Sequence, residues 1–280
     1  MQRPGALAAS PDGRWFIAAV AEPSYDEEQR RSDLWLMPVD GSGPPRRLTS
    51  GRSSEGDPVW SPDSTRIAFS ATREDDEAAQ LYMLNLGGGE AQRVTSWPGG
   101  AKFPRFSPDG LSILFVGPTH PGAVTVEDNR KAAADRKARK YNVRAYDSFP
   151  IRHWDRWLDE LRPSLIVQSL DGVSAARDLL AASALRRERG FGGRLGNEGE
   201  TIDAAWTPDG GGVVFAATTN RHEGARAQVN VSLWHVTVTG GEPRRLTGEE
   251  GDYSSPEFTP DGAMLLAKVQ AASKRWVYST

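Results

Sequence analysis

The chain has 280 residues, 38% of them hydrophobic, and its 29 Gly, 19 Pro and 9 Trp suit a turn-rich β protein. A net charge of −3 offers no global attraction for nucleic acid or an anionic membrane. The absence of cysteine excludes disulfides, thiolate metal sites and a cysteine nucleophile. No apolar run is long enough for a membrane helix, and residues 1–5 do not read as a signal peptide.

Five short motifs punctuate the chain. Each is a small or aromatic residue, then Ser or Thr, then Pro-Asp-Gly, with prolines at 11, 62, 108, 208 and 260. The gaps are 51, 46, 100 and 52, so one gap equals two ordinary ones. Proline presets the first corner of a tight turn, Asp bonds back to its own backbone, and Gly tolerates the left-handed corner. Ser64 replaces that Gly in the second copy, which predicts a turn that does not demand positive φ there. After each motif comes a strand-like run such as Ile67-Ala68-Phe69 or Val213-Val214-Phe215-Ala216. A second run of the Leu34-Trp35-Leu36-Met37 type follows, then a Gly-containing turn, then Arg47-Leu48-Thr49. Leu81 to Thr95 and Leu233 to Thr247 repeat it, and Leu165 to Leu180 gives a degenerate version. Asp-Gly and Gly-Gly between apolar runs signal hairpins. A period near fifty built from such runs predicts an all-β fold, a β-propeller of four-stranded antiparallel blades.

In chain order the predicted blades are 9–50, 59–96, 103–182, 205–248 and an incomplete 256–280, a single propeller domain of about five units. Residues 52–58 read as a polar connector and 73–77 as a solvated hairpin tip. The third blade loses its rhythm after Val116, so 119–163 reads as a partly helical insertion. Residues 129–141 carry Arg130, Lys131, Arg136, Lys137, Arg139 and Lys140 among alanines, predicting a short exposed helix. Without aromatic stacking partners, these charges make no nucleic-acid site.

Residues 146–161 would place Trp154, Trp157, Leu158 and Leu161 on one helical face. Two readings compete: an amphipathic element packed on a blade, or a recognition element whose paired carboxylates hold a substrate ammonium. His153 and Asp155 lack a third ligand, so no metal is expected, nor any other cofactor. Residues 183–204 read as a polar connector. The last blade offers strands at 257–258, 264–269 and 276–278 and lacks a fourth. Either residues 2–8 complete it, or the natural chain continues.

Aromatic-Ser-Pro-Asp-Gly, an Ile-Ala-Phe strand, Leu-Trp-x-Val and Gly-Gly-Glu-Pro-Arg-Arg-Leu-Thr resemble two related groups of blades. These are the N-terminal propeller of prolyl-oligopeptidase-family serine peptidases and the propeller of TolB-like proteins. Tyr146-Asp147 and Arg152-His153-Trp154-Asp155-x-Trp157 resemble the third-blade stretch of bacterial dipeptidyl and acylaminoacyl peptidases. The resemblance implies a seven-bladed ring followed by a C-terminal α/β-hydrolase domain, with short peptides as substrates. It departs from those enzymes in having no Gly-x-Ser-x-Gly elbow and no βα alternation, so no catalytic residue is expected in these 280 residues.

The expected function is a non-catalytic, substrate-gating propeller domain of a serine exopeptidase. Arg152 is the candidate for a substrate carbonyl or carboxylate, and Asp159 and Glu160 for its amine. Trp154, Asp155 and Trp157 complete the candidate site. The alternative is a TolB-like protein-binding propeller without chemistry. A propeller enzyme with ligands in a central channel ranks last, because the repeated strand positions are apolar. An open array exposes blade faces and strand edges, so self-association is expected unless the ring closes.

Overall fold

The computed structural model describes residues 3–23, 30–50, 54–141, 143, 146, 151–153, 156–158, 160–196, 199–224 and 227–271. The first sheet comprises β1 (Arg3–Ala9), β2 (Trp15–Pro23), β3 (Arg30–Pro38) and β4 (Arg46–Arg47), paired in chain order. The second repeats that order with β5 (Glu55–Trp60), β6 (Arg66–Ala71), β7 (Gln80–Asn85) and β8 (Gln92–Arg93). β9 (Lys102–Phe106) and β10 (Ser112–Thr119) precede helix α1 (Val126–Lys137) and a small hairpin, β11 (Arg152–His153) and β12 (Arg156–Trp157). β13 (Arg162–Ser169) and β14 (Arg177–Asp178) join β10 and β9 in the third sheet, of order β14-β13-β10-β9.

A short helix α2 (Ala184–Arg187) and a hairpin of β15 (Arg194–Gly196) and β16 (Gly199–Thr201) follow. The fourth sheet holds β17 (Ala204–Trp206), β18 (Gly212–Thr218), β19 (Val231–Thr237) and β20 (Arg244–Arg245). β21 (Gly251–Phe258) pairs with β22 (Leu265–Ala271), and the third strand expected at 276–278 lies outside the described residues. Four antiparallel meanders of one strand order bear out the expected four-stranded architecture.

Every Pro-Asp-Gly turn joins the first two strands of its sheet, and the same bonds recur in each. The Ser or Thr hydroxyl donates to the Asp Oδ1 at 2.5–2.6 Å and accepts the N–H five residues on at 2.9–3.0 Å. The same Asp oxygen accepts the N–H two residues on at 2.9–3.1 Å. These bonds hold all five carboxyls below the ordinary aspartate range, Asp63 at about 2.

The expectation for Ser64 is corrected. Its φ is 60°, alongside 69–70° at Gly13, Gly110, Gly210 and Gly262. The turn type is set by the proline and the Asp bonds, and Ser64 follows it. Its hydroxyl accepts the Asp12 N–H at 3.1 Å, tying the second turn to the first.

The Arg-Leu-Thr motif also has a physical content. Thr49, Thr95 and Thr247 accept the N–H of Leu34, Leu81 and Leu233 at 2.9–3.0 Å, which fastens the last strand to the third. In the degenerate third copy Leu180 stands at the threonine position, and Asp178, at the arginine position, accepts from Ser164 Oγ at 2.5 Å and from the Leu180 N–H at 2.9 Å.

The chain divides into two compact units, Met1–Gly117 with Gln168–Ala176, and Pro118–Val167 with Arg177–Thr280. In the first, Ile17, Leu34, Ile67 and Phe69 are fully buried, with Leu36, Trp60, Tyr82 and Leu84 around them. The Trp60 indole N–H donates to the Ala8 carbonyl at 3.1 Å. In the second, Val214, Ala216 and Leu233 pack with Tyr253, Phe258, Leu265 and Ala267. Period-two alternation explains why one strand serves its own sheet and the neighbouring one.

Several expectations give way to the tertiary structure. Residues 3–9 pair with β2, Arg3 opposite Ala21 and Ala9 opposite Phe16, and so do not complete the last sheet. A tight turn makes that local pairing cheap in loop-closure entropy. The polar connector at 52–58 contains the start of β5, whose Glu55 is buried. In the charged tip, the Asp76 side chain is 1% exposed. It accepts from Tyr82 Oη at 2.7 Å and lies 3.1 Å from Arg93. The connector at 183–204 buries Phe191 and Arg186 completely or nearly so. Polar composition concealed these three because Asp76 and Arg186 meet opposite charges indoors and Ser32 holds the Glu55 backbone.

Candidate functional site

The insertion springs from a pinned base. Thr119 Oγ1 donates to the Arg162 carbonyl at 3.0 Å where the insertion leaves and rejoins the strands. Arg186 reaches in with Nη2, donating to the Ala123 and His120 carbonyls at 2.8 and 3.2 Å. Its Nη1 pairs with Asp178 at 2.5 Å, both side chains being under 10% exposed. A guanidinium suits this place because it spreads several donors over fixed acceptors.

Helix α1 begins three residues earlier than expected and is not wholly exposed. Thr125 and Asp128 form a capping box: Asp128 N donates to Thr125 Oγ1 at 3.1 Å and Thr125 N to Asp128 Oδ2 at 2.9 Å. Asn129 is 1% exposed, its Oδ1 accepting the His120 N–H at 2.8 Å.

Beyond it the expected helix over 146–161 is replaced by a hairpin. Arg152 pairs with Trp157 and His153 with Arg156. The Leu158 N–H donates to the Ile151 carbonyl at 3.1 Å, extending the pairing. The Trp157 and Tyr146 rings lie 6.3 Å apart at 35°, and Tyr146 Oη donates to the Leu158 carbonyl at 3.0 Å. The Arg152 guanidinium sits 5.9 Å from the Trp157 ring centre. Helical periodicity misleads here because a stacked ring and a cation on strand faces satisfy the same residues.

Of the candidate residues, the structure brings Arg152 and Trp157 together, with Trp157 52% exposed. Glu160 is exposed after the hairpin. Trp154, Asp155 and Asp159 lie outside the described residues. Tyr146 joins the cluster, and Ile151 at 41% exposed adds an apolar rim. The arrangement presents π faces, an apolar side chain and a guanidinium to solvent. It can hold an apolar side chain and a carbonyl or carboxylate.

These sheets define the chain as a β-propeller protein of tandem four-stranded blades. No family model matches it. Its similarity to named proteins runs nearly end to end. Dipeptidyl-peptidase 5 of Porphyromonas endodontalis is 27% identical over 268 residues, 95% of this chain and 36% of that protein. The chain thus spans about a third of the length of that relative. The acylaminoacyl peptidase of Pyrococcus horikoshii superposes with a TM-score of 0.62 at 14% identity, over 98% of this chain and 36% of that one. TolB of Acinetobacter baumannii gives 0.51 at 18% identity, over 94% of this chain and 48% of that one. The chain is thus similar to the propeller part of dipeptidyl and acylaminoacyl peptidases and to TolB-like propellers.

Proposed function

We propose that these residues form the non-catalytic, substrate-gating propeller of a serine exopeptidase of the dipeptidyl or acylaminoacyl type. The observation that carries this is the end-to-end match to one third of a dipeptidyl-peptidase. The 280 residues act as one propeller domain, and the α/β-hydrolase domain belongs to the remainder of a longer chain. The blades exclude folded proteins by size and admit short, flexible peptides. The Arg152–Trp157 hairpin orients the peptide, its guanidinium on a carbonyl or carboxylate and its rings on an apolar side chain. Asp159 and Glu160 take the substrate amine.

The test uses the full-length natural protein. A serine-directed phosphonate should label a residue outside these 280, and Trp157→Ala should raise KM for a tripeptide several-fold. Its kcat should stay within about twofold, as for a group that binds ground and transition states alike. A natural protein of only 30.5 kDa that takes no label would overturn the peptidase reading. The second reading, favoured by the TolB superposition, would then stand: a propeller that binds a protein partner and cuts nothing.

A further inference from the structure

Glu55 is a buried acid for which the proposed function has no use. It opens β5 at 2% exposure, and its backbone is bound to the first sheet. The Ser32 hydroxyl donates to the Glu55 carbonyl at 2.6 Å and accepts the Glu55 N–H at 3.1 Å. Its carboxyl is thereby held at the seam between the first two sheets. Arg73, from the loop after β6, is 3.6 Å from Oε1, too long for a strong charged hydrogen bond. Oε2 is buried without a hydrogen-bond partner among the described residues.

A second acid lies on the other side of the seam. Asp33, beside Ser32, pairs through Oδ2 with Arg47, while its Oδ1 is buried and also lacks a partner among the described residues. Asp33 and Arg47 both act on Glu55, and Glu22 and Arg31 act in turn on Asp33. Among the described residues, the other charged groups on neighbouring strands are engaged elsewhere or lie outside. Asp57 accepts from Ser70, Arg66 donates to the Gly110 carbonyl, Arg105 donates to the Pro104 carbonyl, and Arg3 is exposed. Lys102 is half-buried on β9.

An ionised carboxylate buried here, with one oxygen lacking a hydrogen-bond partner among the described residues, costs more than the neutral acid, which carries no charge and gains a donor. We propose that Glu55 is a proton-operated latch between the first two sheets: the neutral acid closes the seam, and its ionisation loosens it. Burial raises its pKa to about 7 against the Thr49 hydroxyl and Arg73, with Asp33 pushing the same way as burial. A folded pKa above the ordinary 4.5 sets the sign. The stabilisation is complete below about 4.5, is lost as pH rises to about 7, and changes no further above that.

Among the N–H groups that cross between the first two sheets are the Glu55 amide and the Trp60 indole N–H on Ala8. Hydrogen exchange at both, corrected for intrinsic rate, should report opening about tenfold more frequent at pH 8 than at pH 6. Glu55→Gln should flatten that ratio, and Asp33→Asn should only reduce it, because Glu55 then loses one neighbour that raises its pKa while burial still acts. Should Glu55→Gln fail to fold, the carboxyl resonances of 13C-glutamate-labelled wild-type protein decide. One glutamate should titrate near pH 7, and saturation of that shift should coincide with the faster exchange. A Glu55 midpoint near 4.5, or a wild-type exchange ratio within twofold, overturns the latch.

Discussion

At position 64 a serine adopts the left-handed backbone that glycine takes in four sibling turns, and its hydroxyl receives the Asp12 N–H in return. Ser64→Ala keeps the backbone cost and loses the bond. Ser64→Gly loses the bond but relieves the backbone, so the glycine variant should be the more stable of the two by about 1 kcal/mol. Urea denaturation of both variants reads the difference directly. Asp63 in the same turn has a carboxyl held at about 2 by Ser61, Thr65 and the Thr65 N–H. A depressed folded pKa contributes stability that is present above the unfolded value and lost as pH falls through the folded one. The melting temperature should therefore drop between about pH 4 and pH 2, and Asp63→Asn should make that drop shallower.

The third blade shows how an element tolerates a long insertion. Where the other blades carry the arginine of Arg-Leu-Thr, this one carries Asp178, and Asp178 pairs with a buried Arg186 that also caps two carbonyls of the insertion. Removing one member of a buried pair leaves the other uncompensated, at about 3–5 kcal/mol. Arg186→Met should destabilise the protein by that order in chemical denaturation. The double variant Arg186→Met with Asp178→Asn should recover part of the loss. Thr125→Ala removes one arm of the capping box and should cost about 1 kcal/mol, seen as faster exchange in the first turn of α1. In the hairpin beyond, the Trp157 ring is half exposed, so under the proposed function Trp157→Ala should change peptide affinity more than stability.

At the scale of the molecule, the repeats within each compact unit are modules joined by local contacts. Asp12 bonds to Ser64, Arg66 reaches the Gly110 carbonyl, and Trp60 bonds to Ala8, each linking one repeat to another. Chains of this kind draw stability from neighbouring units as much as from each unit alone. Met264, just before β22, and Leu266 and Val269 on it are 52–60% exposed. Charged replacements of Met264 and Leu266 should suppress self-association of the isolated 280 residues in light scattering. A monomer that stays monomeric without them would count against an associating face.

Blade identity was legible in the residues themselves, because a Pro-Asp-Gly turn and an Arg-Leu-Thr closure each carry their bonding instructions within a few positions. Phe69, Phe115 and Phe215 occupy equivalent runs and are all fully buried. What lay beyond the sequence were contacts between residues far apart in the chain. Glu55 reads as part of a solvated connector until Ser32 holds it against the first sheet. Arg186 reads as one of a charged run until Asp178 and two carbonyls surround it. The 146–161 stretch has helical spacing, yet strand pairing brings Tyr146, Arg152 and Trp157 together instead. Local turns depend on a few dihedrals and nearby hydrogen bonds, which sequence order determines. The burial of a charge depends on which distant partner neutralises it, and only the tertiary structure decides that.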